Sequence, residues 1–463
     1  MTYAAALAEF AVGASYRSLS EAARLQAKIR VLDALGCAIG ALDGPPVLLL
    51  RQHTDDFGGR PMATLIGGGR TAPDRAAFYN SALVRYLDFN DSYLAKGETC
   101  HPSDNIGAVL TASEYAGRDG KEFLAAVALA YQVLCRLCDV APVRAKGFDH
   151  TTLGSFAVAA GVARALGLNV AQTTNAIAIS GTAFNALRVT RTGALSNWKG
   201  LAYPNTDFCG THAAFLAMRG ITGPPEVFEG NKGFMDAISG HFEIDWARED
   251  LECVTRTIVK KYNAEVHSQS VLETVLAMKR QYGFQAAAVS RLELEVFDVA
   301  FNIIGGGEEG AKTLVRTKEE ADHSLNYMVA TAIVDGEVTP EQYLPERIQR
   351  PQVQTLLRNV SVKPNAAYSA RFPEEMPCKV TIHLTDGRTL TEEGRDYEGF
   401  HTHPFTWKTA LDKFNRLSEP YAPAPLRQKI AEAVEDLENR KIADLMNLLA
   451  SVKGVHHGAP KSA

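Results

Sequence analysis

Three histidines and three lysines stand in segments dense in polar residues and close to predicted helix starts. His101 lies in CHPSDN, His150 in KGFDHTTLGS, and Lys199 in SNWKGLAYPN, while Lys260, Lys261 and His267 share VKKYNAEVHSQS. Imidazole exchanges protons near neutral pH, whereas a lone histidine is more often structural than catalytic. As a set these residues define a chemistry. The ammonium groups can hold carboxylates, the first turn of a helix offers unpaired N–H groups to an anion, and a buried carboxylate without such partners is very costly. Such a pocket suits a small acid with two or three carboxylates.

The densest of these segments is Tyr86 to Asn105, YLDFNDSYLAKGETCHPSDN, where acids, hydroxyls, amides, a thiol and one imidazole lie between two apolar helical runs. Short polar connections clamped between buried elements are common places for chemistry.

The elements that must position these residues follow from periodicity. Ser18 and Glu21 have capping-box spacing, and Leu25, Ile29, Leu32, Leu35 and Ile39 then recur at intervals of three and four. The spacing predicts further helices over Glu122 to Val140, Leu153 to Leu166 and Asn175 to Leu187, rich in small residues that allow close packing. After about Val254 the period becomes two. Arg291 to Ala300 and Cys378 to Leu384 alternate as half-exposed strands, and Asp386-Gly387 favours a hairpin turn. Between them, helices are predicted over Ser268 to Gln281, Glu319 to Asp335 and Gln352 to Arg358, and the helical habit returns over Thr406 to Leu417 and Pro425 to Leu449. The expected fold is mainly α. A large all-helical domain comprises residues 1–256 and 398–463, and a smaller α+β domain with antiparallel strands is inserted over 257–397. The tail, VKGVHHGAPKSA, is expected to fray.

Composition excludes several classes. A chain of 463 residues, 46% hydrophobic with a net charge of -5 spread without blocks of one sign, shows neither a nucleic-acid stripe nor a membrane patch. No apolar run is expected to cross a membrane, the N-terminus has no leader pattern, and seven scattered cysteines suit a reducing cytoplasm. Gly305, Gly307 and Gly310 match GxGxxG after a strand, but Glu308 and Glu309 would repel a pyrophosphate. Cys135 and Cys138 form CxxC in an apolar helix without a second pair, and His401 and His403 have no third ligand at metal spacing, so both pairs read as packing or surface.

The segments LDFNDSYLAKGETCHPSDNIGAVL, GFDHTTLGSFAVAAGVARALGL, SNWKGLAYPNTDFCGTHAAFLA, KKYNAEVHSQS and DHSLNYMVA resemble those of the MmgE/PrpD family, from the first helices to about Trp407. That family includes 2-methylcitrate dehydratase, cis-aconitate decarboxylase and iminodisuccinate epimerase. The resemblance implies a discontinuous helical domain, an inserted α+β lid, a homodimer, and catalysis without a metal or nucleotide cofactor. By the same resemblance Asp88 and Ser92 match the acid and hydroxyl of the first motif, with Ser92 where threonine is more usual. His101 matches the motif's histidine, His150 the second catalytic histidine, Lys199 a position where the family keeps a lysine, Lys260 and His267 a basic pair at the lid's start, and Tyr327 a tyrosine that closes over the ligand. Proton transfer is expected of His101, His150 and His267, and substrate binding of Lys199, Lys260, Lys261 and Ser92. The decarboxylase branch has a histidine near Glu265, and AEVHSQS is closer to the dehydratase form. The implied activity is dehydration of 2-methylcitrate or citrate to the corresponding cis-aconitate. The alternatives are decarboxylation, epimerisation of a related polycarboxylate, or binding without catalysis.

Overall fold

The computed structural model describes residues 1–193 and 195–454, so of the tail expected to fray, residues 455–463 lie outside the described residues. Two compact units are present. The first comprises Met1–Thr190, Gly200–Thr257 and Phe405–Ala463, and the second Arg191–Lys199 and Ile258–Pro404.

In the first unit α1 (Tyr3–Gly13) is followed by α2 (Glu21–Gly40), whose cap is Ser20 rather than Ser18: the Ser20 hydroxyl accepts from the Ala23 N–H at 3.0 Å. After α2 come α3 (Pro45–Phe57), β1 (Ala63–Thr64), β2 (Arg70–Thr71), α4 (Pro73–Tyr86), β3 (Tyr93–Ala95) and β4 (Glu98–Cys100). Four helices follow: α5 (Ile106–Tyr115), α6 (Gly120–Val140), α7 (Thr151–Leu166) and α8 (Val170–Ala183). The last large helix is α9 (Trp198–Met218), whose first two residues are grouped with the second unit. The chain returns to the first unit in Trp407–Ser418, which packs on α2, and in Ala424–Glu435 and Ile442–Leu449. The expectation of one helix from Pro425 to Leu449 is thereby corrected to two.

The first unit is not all-helical, because β1 pairs with β2 and β3 with β4 in short antiparallel ladders. Alanine and glycine let its helices approach closely. At Gly154 an added Cβ would lie 2.7 Å from the Tyr203 ring and hydroxyl, so α7 and α9 meet where no side chain intervenes. By length and composition α6 could cross a membrane, contrary to expectation, but 83% of its most apolar window is buried inside the protein. It is a core helix.

The second unit carries α10 (Gln269–Tyr282), β5 (Val289–Val296), β6 (Val360–Pro364), β7 (Cys378–Leu384) and β8 (Thr389–Gly394). The sheet order is β6-β5-β7-β8, and it is mixed rather than antiparallel, since β5 pairs with β6 in parallel. The crossover between them contains the helices Leu325–Asp335 and Pro351–Arg358, which is the connection that a parallel pair requires. Leu292, Leu294, Val296, Val380 and Ile382 are buried, as the two-residue alternation predicts. The expected helix from Glu319 to Asp335 is interrupted at Asp322-His323-Ser324, where Ser324 caps Leu325–Asp335 by accepting from the Tyr327 N–H. Gly305, Gly307 and Gly310 follow the short helix Asp298–Ile304, not a strand. The structure as a whole is mostly helical with a small mixed sheet.

Candidate active site

The polar stretch after α4 folds back on itself. Tyr93 pairs with Cys100 and Ala95 with Glu98, and Gly97 makes the turn at φ +124, where a side chain would be strained. That register places Ser92 opposite His101. The His101 Nδ1 lies 3.0 Å from Ser92 Oγ and 2.9 Å from the backbone oxygen of Asp91. A carbonyl can only accept, so this contact assigns the proton to Nδ1 and leaves Nε2 as the atom at which His101 takes up a proton.

Asp91 fixes the loop from inside. Its carboxylate accepts from the Ser103 N–H at 2.9 Å and from the Tyr131 hydroxyl at 2.7 Å, while Asn90 donates to Ser103 and Asp104. Asp88, at φ +55, pairs with Arg85 at 2.7 Å, and Arg85 also lies 3.5 Å from Asp104. Glu98 anchors the hairpin tip by accepting from the N–H groups of Val143 and Arg144.

His150 occupies the N-cap position of α7. Its Nδ1 is 3.4 Å from Asp149 Oδ1, which also accepts from the Thr151 N–H, and the second Asp149 oxygen is 3.6 Å from Arg188. The rings of His101 and His150 meet edge to face with centroids 5.5 Å apart, and His150 stacks on Tyr203 at 6.0 Å. The first unit thus brings His101, His150 and Ser92 together. Within it Asp88 pairs with Arg85, and the groups that orient the two imidazoles are Asp91 and Asp149.

The second unit holds a separate set. Lys199 Nζ is 2.7 Å from Asp322 Oδ1 and 2.9 Å from His323 Nδ1, and Lys318 reaches the other Asp322 oxygen at 2.9 Å. Burial raises the Asp322 carboxyl, but Lys199, Lys318 and His323 outweigh it and hold it well below the usual carboxylate range. Glu265 grips His267 twice: Oε1 lies 2.7 Å from Nδ1, and Oε2 accepts the backbone N–H at 2.8 Å. Burial pushes Glu265 up as well, yet His267, with smaller contributions from His323 and Lys260, brings it down to about 2. The His267 Nε2 is buried without a hydrogen bond, and its ring meets Phe297 and Phe372. An imidazole held at Nδ1 by a carboxylate and open at Nε2 has the geometry of a general base.

Lys260 is wholly buried in this unit. Lys261 pairs with Glu273 at 2.8 Å and Glu398 at 3.6 Å. Tyr327 is buried within Leu325–Asp335, its hydroxyl donates to the Gln342 carbonyl, and burial pushes it up to about 12. The structure therefore pairs Lys199 with Asp322 and His267 with Glu265, places Lys260 within electrostatic reach of Glu265, and commits Lys261 and Tyr327 to contacts of their own. Sequence reasoning passed over Asp91, Asp149, Glu265, Asp322 and His323. A usable signal existed: Asp149 precedes His150, Glu265 is two residues before His267, and Asp322 precedes His323.

The MmgE/PrpD N-terminal domain matches residues 5–247 and the C-terminal domain residues 262–439. Among curated relatives, 2-methylcitrate dehydratase of Salmonella typhi is 26% identical over 415 residues, covering 83% of each chain. The 2-methylcitrate dehydratase of Escherichia coli K12 is 25% identical, covering 94% of each. Cis-aconitate decarboxylase of Mus musculus is 23% identical, covering 97% of this chain and 93% of that one. Mostly helical build and relatives named as dehydratases and a decarboxylase define a lyase-type enzyme. The chain belongs to the MmgE/PrpD family.

Proposed function

We propose that this protein is a cofactor-independent hydro-lyase that dehydrates 2-methylcitrate, or citrate, to the corresponding cis-aconitate. The observation that carries the proposal is the pair of imidazoles 5.5 Å apart, each with its Nδ1 beside an oxygen acceptor. Elimination of water needs a base for the C–H next to a carboxylate, an acid for the departing hydroxyl, and positive charge to stabilise the enolate-like carboxylate that forms. His101, with its proton at Nδ1, is the base through Nε2. His150 is the acid, and the Asp149 carboxylate offsets the charge it carries as an imidazolium. Ser92 steadies His101, and Asp88 supports the same loop through Arg85.

Lys199 and Lys260 bind substrate carboxylates, and His267, oriented by Glu265, is a third proton-transfer group. Because Lys199 already pairs with Asp322, a carboxylate that binds it shares that charge. Lys261 and Tyr327 act in this scheme as supports rather than as contacts to the reacting atoms. The protein works as a cytoplasmic homodimer, which light scattering after gel filtration tests by a mass twice the chain's 50.1 kDa.

The names of the relatives favour dehydration, and that of the mouse relative keeps decarboxylation as the second reading. Purified protein incubated with 2-methylcitrate, citrate and cis-aconitate separates the two. Ultraviolet absorbance of an unsaturated acid without carbon dioxide release supports the hydro-lyase. Gas from cis-aconitate supports the decarboxylase, and silence from all three substrates contradicts both.

A further inference from the structure

The lysines around the second unit's site are mostly committed to carboxylates of the chain. Lys199 and Lys318 share Asp322, and Lys261 pairs with Glu273 and Glu398. Lys312 differs. It is half-buried, and among the described residues its ammonium forms no hydrogen bond or ion pair.

Its place is set by the glycines that match GxGxxG without a nucleotide to bind. Gly306 and Gly310 take φ of +99 and +87, where a side chain would be strained. The turn closes on the preceding helix through the Gly307 N–H, which donates to the Phe301 carbonyl at 3.0 Å, and the Glu309 N–H, which donates to that of Asn302 at 2.9 Å. The Lys312 carbonyl then accepts from the Ser324 hydroxyl at 2.6 Å, and the same hydroxyl accepts the Tyr327 N–H at 3.1 Å. Ser324 directly follows Asp322 and His323, whose side chains hold Lys199, and the Asp322 carbonyl accepts the Glu265 N–H at 3.2 Å. Two hydrogen bonds thus tie the segment of Lys312 to that of Asp322 and His323, and that in turn to Glu265 and His267.

Citrate and 2-methylcitrate carry three carboxylates, and Lys199 and Lys260 account for two of them in the reaction proposed. The third needs a cation of its own, because a carboxylate taken out of water without one is very costly. We infer that Lys312 binds this third carboxylate, an assignment that rests on the substrate being a tricarboxylate. Lys199 must share its charge with Asp322, whereas Lys312 offers its charge without breaking an ion pair. Burial pulls the Lys312 ammonium below the usual lysine value, against the opposing effect of Glu309 and Glu265, and an arriving carboxylate restores what burial removes. A carboxylate away from the breaking bonds is held alike before and during the reaction, so loss of Lys312 raises KM and leaves kcat nearly as it was.

The test is calorimetric titration of citrate into the full-length protein. Lys312→Met should weaken citrate binding roughly 10- to 100-fold, and Lys312→Arg should recover part of the loss. Arg316→Met removes a positive charge from an exposed position of the same loop and should cost less than about twofold. A second readout needs no variant. Acetic anhydride should label the half-buried Lys312 of the wild-type chain, and saturating citrate should shield it, as peptide mapping reads. Wild-type affinity in Lys312→Met, labelling of Lys312 unchanged by citrate, or an equal loss in Arg316→Met would each overturn the assignment while leaving a tricarboxylate site in place. A wild-type chain that binds no citrate would overturn the tricarboxylate reading and this assignment with it, so the two failures are told apart.

Discussion

An imidazole moves protons in one direction only when its second nitrogen is held, and each proposed catalytic histidine here has an oxygen at Nδ1. For His267 that oxygen is the Glu265 carboxylate at 2.7 Å. Glu265→Gln keeps the shape but lets the amide present its NH2, which selects the wrong tautomer. Turnover of 2-methylcitrate should fall roughly 10²- to 10⁴-fold with a smaller change in KM, and steady-state kinetics with a circular-dichroism control reads it. An equal rise in KM with unchanged kcat would make His267 a binding group instead. The histidines were visible in the sequence because imidazole is rare and lay in polar segments. Their orienting partners were not, because Asp91 acts on His101 through its backbone oxygen and aspartate is common in loops.

At the scale of elements, the site depends on a hairpin and on one close helix contact. Helical spacing located α6 and α7 within a few residues, since long apolar periodicity is the strongest local signal. The β3–β4 hairpin was not legible, because strands of three residues carry almost no pattern, yet it is what sets Ser92 across from His101. The break at Asp322 was likewise hidden inside an apparently continuous helix, and it is there that Asp322 meets Lys199. The contact of α7 with α9 is testable. Gly154→Ala would press a methyl group against Tyr203, whose ring stacks on His150. It should lower stability by about 1 to 3 kcal/mol in urea unfolding and reduce turnover beyond what the stability loss explains. A variant as stable and active as the parent would show that the contact can relax.

For the whole molecule, buried carboxylates pull stability in opposite directions with pH. The Glu265 carboxyl sits at about 2 against an ordinary 4.5, so the stability it contributes is complete above about 4.5 and is lost as pH falls toward 2. By linkage that is roughly 3 kcal/mol, and Glu265→Gln should flatten the acid limb of a melting-temperature profile. Asp207 behaves conversely. Burial, then the nearby Asp104 carboxylate, raises it well above 3.8, so it holds its proton in the fold and costs stability as pH rises above the unfolded value. Asp207→Asn should melt higher than the parent at pH 7 and converge with it near pH 3 to 4. Equal melting at both pH values would mean that Asp207 finds a partner when ionised. The most direct test of the enzymatic account is kcat for 2-methylcitrate dehydration by His101→Ala, folded by circular dichroism. The account predicts a fall equivalent to about 3 to 6 kcal/mol of transition-state stabilisation; turnover within a few-fold of the parent would contradict it.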